Sequence, residues 1–207
     1  QIIRHTWSCT INISCRTGNV YSTTPGMSNY LWTINGGIIT AGGGNANSTV
    51  TVTWDAAGTG HVLLNYSNSN GCAATTPTDL NVTINALPTP VITGSASVCT
   101  NSTGNIYTTD AGMTNYQWTV TGGTVTGGGT TGDNTITITW GAVGTGHVMV
   151  NYTNGNGCTA STATDRPVTI NALPVPALVG ATSVCSGSTG NVYTTDGGMT
   201  NYQWSVT

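Results

Sequence analysis

The chain has 207 residues, of which only 4% are charged, and a formal net charge of −3. It contains no Lys, no Glu and no Phe, and its cations are Arg4, Arg16 and Arg166. Three cations cannot neutralise a row of phosphates, no apolar run reaches the length of a membrane span, and Lys or Glu catalysis is excluded outright.

Neither nucleic acid nor membrane insertion is therefore expected. Disorder is not expected either. At 37% hydrophobic, with 6 Trp and 8 Tyr, there is enough apolar surface to fill a core.

In chain order, the segment Ile2 to Ile13 reads I-I-R-H-T-W-S-C-T-I-N-I and departs from the later openings that lead to Cys99 and Cys185, which makes it either the divergent N-terminal strand of a first copy or a foreign segment. Gly18 opens G-N-V-Y, followed by G-M-S-N-Y-L-W ending at Trp32 and T-V-T-V-T-W ending at Trp54. His61, Tyr66 and Cys72 come next, and T-I-N-A-L-P ends at Pro88. The same order then returns 86 residues on, at Gly104, Met113, Trp118, Trp140, His147, Tyr152, Cys158 and Pro174. A third start gives Gly190, Met199 and Trp204. A fixed period of this size marks a tandem array of small domains. The expected units are residues 1–87, 88–173 and 174–207. The last is under half a unit, too little to bury its own core, so the chain reads as an excerpt of a longer array.

Each unit reads as strands. In Thr135-Ile136-Thr137-Ile138-Thr139-Trp140, apolar residues alternate with Thr. Val148, Val150 and Tyr152 alternate with His147, Met149 and Asn151, and Tyr116, Trp118 and Val120 share one phase. Gly-rich and Asn-Gly stretches separate the runs, and no window has helical periodicity. Six or seven short strands per unit, each with one apolar face, predict an all-β fold of tandem immunoglobulin-like antiparallel β-sandwiches. Thr, about a fifth of the chain, suits a pleated strand whose outer face is wet but uncharged. The linker Asn85-Ala86-Leu87-Pro88-Thr89-Pro90 is short and carries two Pro. It predicts a semi-rigid joint and a rod-like array.

Trp32, Trp54, Trp118, Trp140 and Trp204 fall on the apolar phase of their strands and are expected in cores. His61 and His147 read as outward strand residues without an acidic neighbour in sequence. Being a sandwich apart, they cannot share a metal. Asp110 and Asp196 align with Thr24, Asp133 with Asn47, and Asp55 with Gly141. Only Asp79 and Asp165 recur throughout, which is thin for calcium. No metal, cofactor or catalytic constellation is expected, so the chain does not read as an enzyme.

The tandem form [SA]-V-C-x-x-S-T-G-N-x-Y-T-T-x-x-G-M-T-N-Y-x-W, its continuation I-T-I-T-W…V-N-Y-T-N-x-N-G-C and the N-A-L-P linker resemble the PKD-like repeats of large secreted Bacteroidetes adhesins. The gliding-motility surface adhesins are members of that family. The resemblance spans residues 14–207. It implies an exported, extracellular stalk or filament on the cell surface, delivered by type IX secretion. Its partners would be neighbouring repeats, other copies of the filament, and a surface polysaccharide or substratum. The acidic W-D-F-G-D-G signature of PKD domains proper is replaced here by Trp118-Thr119-Val120-Thr121-Gly122-Gly123. A carbohydrate-binding or spacer module of a secreted hydrolase is the alternative reading.

An exported chain makes disulfides natural for Cys15, Cys72, Cys99, Cys158 and Cys185. Their spacing fits no zinc pattern. A bridge from Cys99 to Cys158 within one unit is the default. Against it, Cys99 precedes the second strand and Cys158 follows the sixth, which places them at opposite ends of a sandwich. A bridge between consecutive units, for instance Cys15 with Cys158, is the other arrangement, and free thiols are the third.

Overall fold

The computed structural model describes residues 18–207. Among them there are fifteen strands and no helix. The first copy contributes β1 (Asn19–Ser22), β2 (Ser28–Asn35), β3 (Gly37–Gly42), β4 (Thr49–Trp54), β5 (Gly58–Ser67) and β6 (Thr78–Ile84). The second contributes β7 (Ser97–Cys99), β8 (Asn105–Thr108), β9 (Thr114–Thr121), β10 (Gly123–Gly128), β11 (Thr135–Trp140), β12 (Gly144–Thr153) and β13 (Thr164–Asn171). Strands β2, β3, β4 and β5 have bounds 86 residues before those of β9, β10, β11 and β12. After residue 173 come only the two-residue strands β14 (Leu178–Val179) and β15 (Thr194–Thr195).

Each of the first two copies is a pair of sheets. In the first, β1-β4-β3 faces β2-β5-β6; in the second, β8-β11-β10 faces β7-β13-β12-β9. All pairings in these sheets are antiparallel except β7, which runs parallel to β13 through Ser97↔Thr169 and Cys99↔Asn171. The facing sheets share one core. Val50, Val52 and Trp54 of β4 meet Trp32, Val62, Leu64 and Ile84 of the opposite sheet. Ile136, Ile138 and Trp140 of β11 meet Val148, Val150, Val168 and Ile170 in the second copy. The expected alternation is visible strand by strand: in β11 the three Thr are half-buried, while Ile136, Ile138 and Trp140 are buried.

Two details explain residues that alternation alone does not. Gly60 and Gly146 sit in mid-strand because the indoles of Trp54 and Trp140 lie against them; a Cβ at either position would overlap the ring. Interiors are close-packed, so that space has no slack. The thrice-repeated G-M-[ST]-N-Y is a closed turn. In the second copy the Tyr116 hydroxyl accepts the Met113 N–H at 3.0 Å and donates to the Asp110 carbonyl at 2.8 Å. Tyr30 and Tyr202 do the same in their copies. The Asn of the motif takes a left-handed conformation each time, at φ 53, 52 and 57 for Asn29, Asn115 and Asn201. Asn tolerates that region better than most residues with a Cβ.

Candidate functional site

The most elaborated surface of the second copy is the end at which the linker enters it. The entering segment, Ala86 to Gly94, offers carbonyls and amides that need partners. Four side chains supply them. The Asn154 amide, in the β12–β13 loop, donates to the Ala86 carbonyl at 3.3 Å. The Thr164 hydroxyl, at the start of β13, donates to the Pro90 carbonyl at 2.6 Å. The Arg166 guanidinium, two residues further on, donates to the Gly94 carbonyl. Asp110 receives the Val91 N–H on Oδ2 at 3.2 Å. Thr93 and Thr108 then exchange both backbone hydrogen bonds, at 2.9 and 3.0 Å, which ties the segment to β8.

Asp110 anchors this joint. The same Oδ2 accepts the hydroxyl of buried Tyr152 at 2.7 Å. That bond, with the smaller contribution of the Val91 amide, holds the Asp110 carboxyl below the ordinary carboxylate range against a desolvation cost. Burial, followed by the bond to Asp110 and its charge, pushes the Tyr152 phenol well above its ordinary value. The third copy repeats the arrangement: Asp196 Oδ2 takes the Ala177 N–H at 2.9 Å. The sequence signal was present, since Asp stands here in both copies that follow an A-L-P linker, and Thr24 stands in the first. Spacing alone did not show that the carboxylate serves the joint.

The histidines depart from expectation. His61 and His147 point outward, but each has an acidic partner: His61 Nδ1 lies 3.0 Å from Asp79 Oδ2 and His147 Nδ1 lies 2.8 Å from Asp165 Oδ2. The partners sit on the adjacent strand, in positions set by the β5–β6 and β12–β13 registers. Both pairs are separated by 18 residues, a recurrence that was readable but lay hidden across a loop. All four side chains are well exposed. Among the described residues no three His, Cys, Asp or Glu side chains converge as metal ligands would.

The expected core tryptophans divide. Trp54 and Trp140 are 3% and 1% exposed, and Trp32 is buried. Trp118 is half-buried, packed at the edge of its core, and donates its indole N–H to the Asp133 carbonyl at 2.8 Å. Trp32 makes the equivalent bond to Asn47 at 2.9 Å. Trp204 is 57% exposed and is not a core residue here.

Among the cysteines, Cys72, Cys99 and Cys185 are exposed free thiols. Cys158 is fully buried and disulfide-bonded. The bridge from Cys99 to Cys158 is therefore not made. The physical reason is length: Cys158 precedes the Thr164 end of β13, while Cys99 pairs with Asn171 at its other end. Eight residues at about 3.3 Å each separate those ends by roughly 25 Å, against the ~7 Å that a disulfide allows between Cα atoms. The pairing of Cys15 with Cys158 involves a residue outside the described ones.

The fold defined by these sheets is a β-sandwich of immunoglobulin-like type. Residues 85–168, most of the second copy with the end of its linker, match the family described as the PKD-like domain. No curated protein sequence matches the chain. Among solved structures, the fibronectin(III)-like modules of Clostridium thermocellum CbhA are 16% identical at a TM-score of 0.33, covering 76% of this chain and 87% of that one. Yersinia pseudotuberculosis InvD is 16% identical at 0.30, covering 89% of this chain and 64% of that one. The human Desmocollin-1 ectodomain is 10% identical at 0.35, covering 78% and 39%. The chain thus spans under two thirds of the latter two. Scores this low leave the functional reading to the chain's own residues.

Proposed function

We propose that the chain is a structural and adhesive segment of an extracellular repeat filament, held on a bacterial cell surface after export through a type IX system, as in gliding-motility adhesins. The observation that carries this reading is the joint: Asn154, Thr164, Arg166 and Asp110 of the second copy all bind the segment that enters it. An entering segment held at four points, two of them in the linker itself, transmits orientation from one copy to the next, which a stalk needs and a free tether does not. The outer faces fit the role, since Thr presents hydroxyls without charge and limits nonspecific electrostatic attraction. Neighbouring repeats, other copies of the filament and a surface polysaccharide or substratum are its partners. Catalysis has no part in this reading.

Small-angle X-ray scattering of the chain tests the reading. A fixed joint gives one elongated shape that is unchanged between low and high salt. A scattering curve that requires a broad ensemble of copy-to-copy angles would sink it. The hydrolase-module alternative would need an exposed aromatic platform for sugar stacking. Trp32, Trp54 and Trp140 are instead buried and Trp118 half-buried, and a glycan array would separate the two readings directly.

A further inference from the structure

The segment that enters the second copy changes sheets on its way in. Thr93 exchanges both backbone hydrogen bonds with Thr108 of β8, at 2.9 and 3.0 Å, in one sheet. Further on, the Ala96 carbonyl accepts the Thr169 N–H at 2.9 Å, and β7 continues beside β13 in the other sheet. The crossing is made at Gly94, whose φ of 147 and contact with the Tyr107 ring leave no room for a Cβ. By two-residue alternation, β13 turns Pro167 to the same edge as the Thr169 N–H, and a proline has no N–H to pair with.

The two stretches part there and leave a cleft of about 390 Å³, within the size range of small-ligand sites. One wall is apolar, with Pro90, Val91, Ile92 and Ala96, and the other is β13 from Thr164 to Pro167. The Thr164 hydroxyl is taken by the Pro90 carbonyl. Arg166 is not saturated. Its Nη2 donates to the Gly94 carbonyl, but its Nε is buried without a hydrogen-bond partner. Arg166 is the only Lys or Arg among the described residues, and their ion pairs are those of His61 with Asp79 and His147 with Asp165. A guanidinium is always charged and has N–H donors to spare. Half-buried beside apolar side chains and without an acid, it favours an anion.

We propose that this cleft binds an acidic sugar, with the carboxylate of a uronic acid residue paired to Arg166. The proposal rests on the filament reading given above and gives the surface polysaccharide of that reading a chemical class. A carboxylate is the planar partner that a guanidinium holds through two parallel hydrogen bonds. Asp165 lines the same cleft. His147 engages its Oδ2, and the remaining lone pairs of the carboxylate accept a ring hydroxyl. A ligand with one carboxylate among several hydroxyls suits both residues, whereas a multiply charged anion meets repulsion from Asp165. Val91 and the prolines offer the C–H face of the ring an apolar wall. The site belongs to the second copy, because Leu80 stands at the place of Arg166 in the first.

The test is titration of the full chain with a trimer of galacturonic acid, read by amide NMR shifts, beside its neutral galactose counterpart. The expected result is saturable shifts at Val91, Ile92 and Asp165, an affinity that falls with added salt, and no binding of the neutral trimer. Arg166→Leu, which installs the residue found in the first copy, should weaken binding at least about tenfold, the loss of a charge-assisted pair. Val91→Phe fills the mouth of the cleft, leaves Arg166 in place and should weaken binding as well. No saturable binding, equal affinity for the neutral trimer, or affinity unchanged in either variant overturns the proposal. An aspartate trimer held as tightly through Arg166 overturns the sugar assignment in favour of an acidic peptide. A hydrolase module would instead take neutral sugars on aromatic rings, independently of Arg166. The titration reads the cleft alone and scattering reads the joint. An elongated chain that binds no uronate keeps the stalk and loses the site, and a flexible chain that binds it does the reverse.

Discussion

The hydroxyl of Tyr152 donates to Asp110 Oδ2 at 2.7 Å across 42 residues of sequence, and the same oxygen takes the amide of Val91 just past the linker. One exposed carboxylate thus couples the core-lining end of β12 to the entry of the chain into the sandwich. A surface aspartate acquires structural value because both of its donors are held by the fold.

Asp110→Ala should destabilise the second copy by about 1 kcal/mol, a value kept low because solvent screens an exposed carboxylate. Tyr152→Phe should cost a similar amount, and the double variant should cost less than the sum. Urea unfolding of the four chains checks this. Additive losses would show that the pair is not coupled.

The same carboxylate predicts a pH dependence. Its folded-state pKa is lowered, mainly by the Tyr152 bond. The stabilisation is therefore complete above the unfolded carboxylate pKa and is lost as pH falls through the folded value. Stability should decline below about pH 4, the unfolded carboxylate range. Asp110→Asn should flatten part of that decline. An unchanged acid limb in the variant would refute the assignment.

Gly146→Ala should cost about 2 kcal/mol, because the added methyl has nowhere to go against the Trp140 indole. Gly155→Ala is the control: its added Cβ meets nothing within 4 Å, and its change should be near zero. Thermal unfolding distinguishes them, and equal effects would exclude ring contact as the cause.

Tyr116→Phe removes a hydroxyl that serves two backbone groups of the G-M-T-N-Y turn, and should cost about 1–2 kcal/mol. Asn115→Gly should be close to neutral, while Asn115→Val should be clearly worse, since a β-branched residue resists φ 52. Melting temperatures in that order support the closed turn. A Val variant as stable as the Gly variant would not.

His147→Ala should change stability by less than about 0.5 kcal/mol despite the 2.8 Å contact to Asp165, because both side chains are well exposed. Chemical denaturation at low and high salt checks it. A loss above 1 kcal/mol would mean the pair is more than a surface contact.

Much of the fold was legible because strand alternation is a local property. The Thr-Ile-Thr-Ile pattern of β11 reads the same in the chain as in the burial of its side chains. The order of Cys99 before the second strand and Cys158 after the sixth raised only an objection to the default bridge between them, and it took the β7–β13 register to put them at opposite ends of β13. The partners of His61, His147 and Asp110 were not legible. They depend on which strand lies beside which and in what register, and loops of different shape can set either. Arg166 is similar: a side chain in mid-strand reads as a solvated charge, and only the fold brings the Gly94 carbonyl to it.

By itself, the sequence determined the period, the strands and the inward faces, because two-residue alternation and an 86-residue register are written in residue order. Tertiary structure decided the joint. The Asp110 bonds to Tyr152 and Val91, and the grip of Asn154 on Ala86, join residues 42, 19 and 68 positions apart. Contacts over such separations exist only once two sheets have closed on each other, since no local pattern can encode which distant backbone atom a side chain will meet.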